Sequence, residues 1–313
     1  MKIIRVNRKV VDYEKWNQTI DHSINSLPYA YTWYLDSVAA DWDAIIVGDY
    51  EFVLPLPFQK ILGLFKYYKQ PFFCQQLGPF GLTQPSNVLI ELILKQLPQH
   101  YIRLNLNLSL ETIATDKFQY LNPKQRINQI IYLDKDLDTI LSHFKGNQRR
   151  AVVSNLNNFG ELEEIESPEK VFDFIKKIHG NSIGLSNKKI IDGMQLFQRA
   201  KENKMAKFYQ MKNIHSNRTA AMGVVILDEK RIINLFYSSD KNKENYGAAS
   251  IYIYKLIALY KSKKKIFDFE GSNIPGIYRF FKSHGALDTY YTSIDRMHPL
   301  LKLIHKAKMN LRT

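Results

Sequence analysis

Residues 264–286, KKIFDFEGSNIPGIYRFFKSHGA, decide how the rest of the chain is read. Ile266 to Phe269 is a short β-prone run that closes on carboxylates, Asp268 and Glu270. Gly271-Ser272-Asn273 is turn chemistry, and Pro275, which has no N–H to donate, suits the first turn of a helix. Ile277, Phe280, Phe281 and His284 recur at i, i+3, i+4 and i+7, one helical face. Gly285 is a good residue to end that helix. Tyr278 and Lys282 stand four apart on another face. The stretch predicts strand, tight turn, helix, stop. A strand that feeds a helix through Gly-Ser leaves backbone N–H groups aimed outward, where they can hold an anion. Glu270 sits at a strand end, where α/β folds bind ligands. The same turn also reads as plain scaffold with a solvated carboxylate, and both readings stand at this point.

The chain has 313 residues, enough for one large domain or two ordinary ones. It is 45% hydrophobic and 13% aromatic, ample for a packed core. No apolar run reaches membrane-spanning length, and the first residues carry no apolar segment of the signal-peptide kind. The single cysteine, Cys74, excludes an intramolecular disulfide and reads as a small buried hydrophobe within PFFCQQLG. These features predict a cytoplasmic protein. The net charge of +14 is uneven: residues 1–133 hold 13 Lys and Arg against 11 Asp and Glu, and residues 134–313 hold 31 against 19. A basic second half suits an anionic ligand such as a phosphate-bearing donor, a nucleotide-linked precursor or transfer RNA. A lysine-rich genome composition gives the same excess.

Along the chain, Asp12 to Ile24 and Tyr29 to Val38 predict helices. Trp42 to Val47 and Tyr50 to Phe58 predict a hairpin about Gly48-Asp49, with Pro55 and Pro57 pushing the second strand towards an edge or bulge. Ser86 caps a further helix. Tyr101 to Leu106, Phe118 to Leu121 and Gln129 to Leu133 read as strands, which makes residues 1–133 one α+β unit. A helix from Asp136 to Asn157 turns basic at FKGNQRRAVV and is interrupted at Gly146. Glu161 to Glu166 is a strand, and Ser167-Pro168 opens a helix with Val171, Phe174, Ile175 and Ile178 as its buried stripe. Asp192 to Asn203 is another helix. Lys207 to Asn213, Thr219 to Asp228 and Arg231 to Ser239 are strands, Gly247 to Ser262 is an amphipathic helix, and a last strand lies near Thr289 to Ile294. Pro299 to Thr313 reads as a basic helix.

Two features connect the opening stretch to a family. FDFEGSNIPGIYRFFKSHGA resembles the last block of the Fem-type peptidoglycan aminoacyltransferases, which runs from a strand through a Gly-containing turn to an aromatic-Lys segment. Lys282 takes the place of that block's lysine, and His284-Gly285 stands where the block ends in Phe-Gly. The order β-α-α-β-β-β-α-β-α-β over residues 160–295 is also that of the GNAT (general N-acetyltransferase) superfamily, to which the Fem proteins belong. The resemblance is clear over the second half and mostly architectural over the first. It implies an α+β fold of two tandem GNAT-like domains with mixed central sheets flanked by helices. Residues 1–133 would be a degenerate domain and residues 134–313 the domain with the acyl-donor site.

The resemblance also implies where the donor lies, in the splay between Arg231–Ser239 and Ile266–Phe269. The family's pyrophosphate loop, Gln/Arg-x-x-Gly-x-Gly/Ala, corresponds to Glu244-Asn245-Tyr246-Gly247-Ala248-Ala249. Gly247 and Ala249 are kept. Glu244 would repel phosphate, and Lys241 and Lys243 can compensate. Ser239, Lys241, Lys243, Gly247, Ala249, Gly271 and Ser272 are thus the candidate donor-binding residues. Lys145, Arg149 and Arg150, on a basic helix like that of Fem proteins, and Asn273 are the candidates for an anionic substrate; a solvated helix face is the competing reading. Transfer to an amine needs a base, oxyanion stabilisation and a proton for the leaving group. Glu270 is the candidate base, Lys282 the stabiliser, and Tyr278 and Tyr237 the proton donors.

No Ser-His-Asp set, nucleophile elbow, Walker loop or metal-ligand spacing is found. The resemblance implies an N-acyltransferase that moves an aminoacyl or acyl group onto an amine of a cell-envelope precursor. Its alternatives are an acetyl-CoA-dependent N-acetyltransferase of another amine, which Glu244 counts against, and a binding protein that keeps the fold. No tightly bound cofactor is expected. Acetyl-CoA or aminoacyl-tRNA is the expected donor, and an anionic small molecule or precursor, not DNA, the expected partner. Fem enzymes that build interpeptide bridges often carry a long helical arm, and no such insertion occurs here. The sequence sets no oligomeric state.

Overall fold

A computed structural model describes residues 1–113, 116–180 and 184–298. The expected basic helix at 299–313 lies outside the described residues. The chain divides into two compact units, Met1–Arg126 with the described residues from Tyr290 on, and Ile127–Thr289.

The first unit opens with β1 (Ile3–Asn7), α1 (Tyr13–His22) and α2 (Thr32–Val38). β2 (Asp41–Val47), β3 (Phe52–Ile61), β4 (Phe65–Lys69), the two-residue β5 (Phe80–Gly81), α3 (Asn87–Lys95) and β6 (Arg103–Leu108) follow. Asp12 caps α1 by accepting from the Glu14 and Lys15 amides, and Ser86 caps α3 by accepting from Leu89. β2 and β3 form the expected antiparallel hairpin. Pro55 and Pro57 fall where β3 has a partner on one side only, between the β5 pairing at Phe52-Val53 and the β4 pairing from Phe58 on. A residue without an N–H is tolerated there. β4 and β6 run parallel, joined through α3. Ile45, Leu54, Leu56, Leu89, Ile93, Leu104 and Leu106 build the core between α3 and the sheet. Phe118 to Leu121 does not form a strand: Asp116–Leu121 is a 3-10 helix. Phe118 and Leu121, three apart, line up on one side of such a helix and both are buried.

The second unit contains β7 (Lys124–Tyr132, from Ile127), α4 (Leu137–Ser142), α5 (Gly146–Asn155), β8 (Glu163–Ile165), α6 (Pro168–His179) and α7 (Asn187–Glu202). β9 (Ala206–Lys212), β10 (Thr219–Leu227), β11 (Arg231–Ser239), α8 (Ala248–Tyr260), β12 (Ile266–Asp268) and α9 (Pro275–Lys282) complete it. Its sheet order is β7-β12-β11-β10-β9-β8. β11 and β12 are parallel and joined through α8, and β7 pairs antiparallel with β12. The chain's last strand, β13 (Leu287–Met297), pairs antiparallel with β6 through Thr292–Met297. Each parallel pair is thus flanked by an antiparallel strand. These pairings differ from a division at 133/134 by the segment 127–133, which belongs with β12, and by the strand after 289, which belongs with β6.

Inside the second unit α8 is buried almost all round, with Ile251, Tyr252, Ile253, Leu256 and Ile257 at the centre of the core. Burying each such side chain is worth about 1.5–3 kcal/mol, which anchors the helix across the parallel pair. The α6 stripe is Val171, Phe172 and Ile175, with Phe172, not Phe174, facing the core, where it stacks on Phe197. The expected long helix from 136 is two helices. The chain is extended at Lys145, whose amide donates to the Ser283 carbonyl at 2.7 Å, so the break lets it dock beside the end of α9.

Candidate functional site

The strand, turn and helix of the opening stretch are all present. β12 ends on Asp268, a buried carboxylate. It accepts from the Asn128 side-chain amide at 3.1 and 3.2 Å and pairs with the Arg231 guanidinium at 3.1 Å. It also accepts the Glu270 amide at 2.8 Å, which fastens the turn to the strand end. Glu270 has φ +56, an uncommon conformation for a residue with a Cβ, held by that bond. Gly271 follows with φ +22, and a Cβ on it would stand 2.5 Å from the Asn128 α-carbon and 2.7 Å from the Gln129 amide nitrogen. Close approach to β7 therefore explains the glycine, whatever its N–H holds. The Ser272 hydroxyl is engaged locally, accepting the Ile274 amide at 3.1 Å. Asn273 is exposed.

α9 buries Phe281, and just beyond its end His284 is also buried, while Ile277 is 41% exposed, so the buried face is narrower than the spacing predicts. Its other face carries Tyr278 and Lys282, and the structure brings them together on one group. The Tyr278 hydroxyl donates to Asp288 Oδ2 at 3.0 Å, and the Lys282 ammonium stands 3.5 Å from Asp288 Oδ1. Asp288 Oδ1 is buried and has no hydrogen-bond partner. The sequence reading missed Asp288. It lies six residues beyond Lys282, past the helix stop, where helical spacing no longer says what is near.

The donor side is built from β11, the following loop and α8. Ser239 ends β11 and Lys241 and Lys243 are exposed. The Asp240 carboxylate accepts from Asn242 and Asn245, each at 2.9 Å, and the Asn213 side-chain amide donates to the Glu244 carbonyl at 2.9 Å. The loop is thereby fixed, with the Glu244 side chain outside. Gly247, at φ +86, is the N-cap of α8 and makes no side-chain capping bond; a Cβ there would come within 3.1 Å of Ala151. Ala249 lies in the first turn of α8. Tyr237 on β11 is half-buried and stacked on Tyr252, ring centres 5.8 Å apart and 3° from parallel. Burial pushes its pKa up, so it stays protonated at neutral pH.

α5 packs on α8 through Gln148, Ala151 and Val152: Gln148 meets the Ser250 hydroxyl at 2.8 Å. Arg149 and Arg150 lie on the opposite face of α5, with Gly146, Val153 and Ser154, along a hollow of about 550 Å³. They are therefore turned away from the α8 N-terminus, and Lys145 precedes them beside Ser283. His284 takes the position of the resembled block's aromatic residue. It is wholly buried, edge-on to Phe144 and Phe280 at 4.9 and 4.6 Å, and bonded to the Phe280 carbonyl and Ser250. Among the described residues no group of three His, Cys, Asp or Glu is arranged to hold a metal, and no helix is long and apolar enough to cross a membrane.

No family model matches this chain, and no curated protein matches it. Solved structures do. A crystal structure of FemX superposes with a TM-score of 0.68 at 14% identity, over 97% of this chain and 100% of that one. L-PGS from Bacillus licheniformis gives 0.53 at 12% identity, over 96% and 97%. A tandem GNAT protein from the clavulanic acid biosynthesis pathway gives 0.51 at 10% identity, over 95% and 98%. Identities this low carry the architecture and leave chemistry to the residues. Over nearly its whole length, the chain has the fold seen in FemX and in the tandem GNAT protein.

Proposed function

We propose that this protein is an N-acyltransferase that moves an aminoacyl or acyl group onto an amine of a cell-envelope precursor. The observation that carries the reading is the carboxylate of Asp288, which gathers the Tyr278 hydroxyl and the Lys282 ammonium beside the strand–turn–helix unit. The names of the fold's neighbours, FemX and a tandem GNAT protein among them, support it.

In the transfer, the acceptor nitrogen gives up a proton and bonds the donor's carbonyl carbon. The bond from that carbon to the donor's leaving atom then breaks. Glu270 takes the amine's proton; its strained backbone at a strand end is the kind of feature that clusters at functional sites. Lys282, held by Asp288, faces the oxyanion. Tyr278 or Tyr237 supplies the leaving group's proton. Ser239, Lys241, Lys243, Gly247 and Ala249, with Gly271 and Ser272, cradle the donor. Lys145, Arg149, Arg150 and Asn273 receive the anionic acceptor.

The test is to incubate the protein with a lysine-containing muropeptide and either labelled acetyl-CoA or transfer RNA charged with labelled amino acids. Label arriving from the charged RNA supports the Fem-like reading. Label from acetyl-CoA alone moves the assignment to acetyl transfer. No label from either sinks the acyltransferase reading.

A further inference from the structure

The β3–β4 hairpin carries a tip that its own unit does not use. Ile61-Leu62-Gly63-Leu64-Phe65 turns tightly, with Leu62 at φ +52, Gly63 at φ +72 and the Leu64 amide bonded to the Ile61 carbonyl. Hairpin tips ordinarily carry Gly, Asn, Asp or Ser. Here Leu62 is 85% exposed, Leu64 79% and Phe65 54%. The tip does not fold back onto the core: together with Pro98, Tyr101 and Ile102 it walls a cavity of about 1000 Å³.

The charges on the hairpin itself are of one sign. Lys60 precedes it, and Lys66 and Lys69 follow on β4. From Phe52 to Ile90 the sequence contains no Asp or Glu. Lys66 is turned inward, 2.7 Å from Asp43 and over the Phe58 ring. Lys60 and Lys69 are exposed and make no ion pair among the described residues. Apolar residues at the apex with cations one step behind is the order a bilayer surface requires, acyl boundary first and headgroups next.

We propose that this tip docks the protein on an anionic lipid surface, with Leu62, Leu64 and Phe65 entering the acyl boundary and Lys60 and Lys69 meeting the headgroups. A second copy of the chain is a poorer occupant, because its net charge of +14 opposes self-association through a basic hairpin. The proposal does not depend on acyl transfer.

The test is co-sedimentation of the full chain with vesicles of phosphatidylcholine and phosphatidylglycerol in equal parts, and with phosphatidylcholine alone. The expected result is binding to the mixed vesicles only. Leu62→Ser with Leu64→Ser, at positions too exposed to affect folding, should weaken it about tenfold or more. Lys60→Gln and Lys69→Gln should each weaken it by about fivefold, an effect that fades at high salt. Phe65→Trp should show blue-shifted fluorescence with mixed vesicles. Equal binding to both vesicles, no binding, or full binding by the double Ser variant overturns the proposal. So does a lipid-free dimer that the double Ser variant dissociates.

Discussion

The Tyr278 hydroxyl donates a hydrogen bond to Asp288 across 3.0 Å, and this bond ties α9 to the first residues of β13. One helical turn on, Lys282 faces the other oxygen of the same carboxylate at 3.5 Å. The Lys282 side chain is 31% exposed and that of Asp288 19%, so the pair is neither a buried structural bridge nor a solvated contact. Half-exposed pairs add about 0–1 kcal/mol to folding. Lys282→Ala should therefore leave the melting temperature almost unchanged while transfer falls about 100-fold or more. Asp288→Asn keeps the shape, removes the charge that holds the ammonium, and should lower transfer less. A Lys282→Ala protein that melts well below wild type and transfers normally would show that the lysine serves the fold.

Gly271 makes the opposite case. A Cβ there would sit 2.5 Å from one backbone atom of β7 and 2.7 Å from another, and strand backbone does not yield. Gly271→Ala should cost several kcal/mol, of the order of other substitutions that overpack a fixed backbone, about 2–4 kcal/mol. Urea unfolding measures it. Unchanged stability with lost transfer would show that the glycine is required by the donor and not by the close approach to β7.

Much of this could be read along the chain, and what could not has a common cause. The β-prone run Ile266 to Phe269, the turn chemistry of Gly271 to Asn273 and the 3.6-residue spacing of Ile277 to His284 gave a strand, a turn and a helix, because those signals are local. Asp288 escaped because it meets Tyr278 and Lys282 only after the chain stops the helix and returns as a strand. Asp268 was visible as a strand-end carboxylate, yet its partner Asn128 lies 140 residues away. Phe118 and Leu121 looked β-prone from composition, while their spacing of three already matched the 3-10 turn they form. The break between α4 and α5 is set by the docking of Lys145 on Ser283, which no window around residue 145 contains.

Asp268 yields a prediction of its own. It is 2% exposed and serves Arg231, Asn128 and the Glu270 amide at once. Removing one partner of a buried pair leaves the other charge uncompensated, at about 3–5 kcal/mol. Arg231 keeps a second carboxylate, Asp228, at 3.6 Å, so the lower end is expected. Asp268→Ala should lose stability and transfer together, because the turn that carries Glu270 hangs on it. Loss of transfer at full stability would assign Asp268 to the chemistry instead.

His284 makes the fold sensitive to acid. Its Nδ1 bonds the Phe280 carbonyl at 2.7 Å and so carries the proton, and its Nε2 lies 3.0 Å from the Ser250 hydroxyl. Burial among Phe144, Phe269 and Phe280 penalises a charge there and pushes the pKa down to about 4. In the unfolded chain the ring titrates near 6.5. As pH falls below about 6.5 the unfolded chain takes up a proton that the folded protein refuses, so stability drops with pH. The loss levels off below about 4, where both states are protonated, and amounts to at most about 3 kcal/mol. Above pH 6.5 this residue contributes no slope. His284→Phe removes the titration and leaves every other acid-sensitive group in place. Unfolding free energies of the two proteins should run parallel from pH 7 to 8 and diverge between pH 6.5 and 4, with wild type falling more steeply. Parallel curves across the whole range would mean that His284 takes its proton inside the fold.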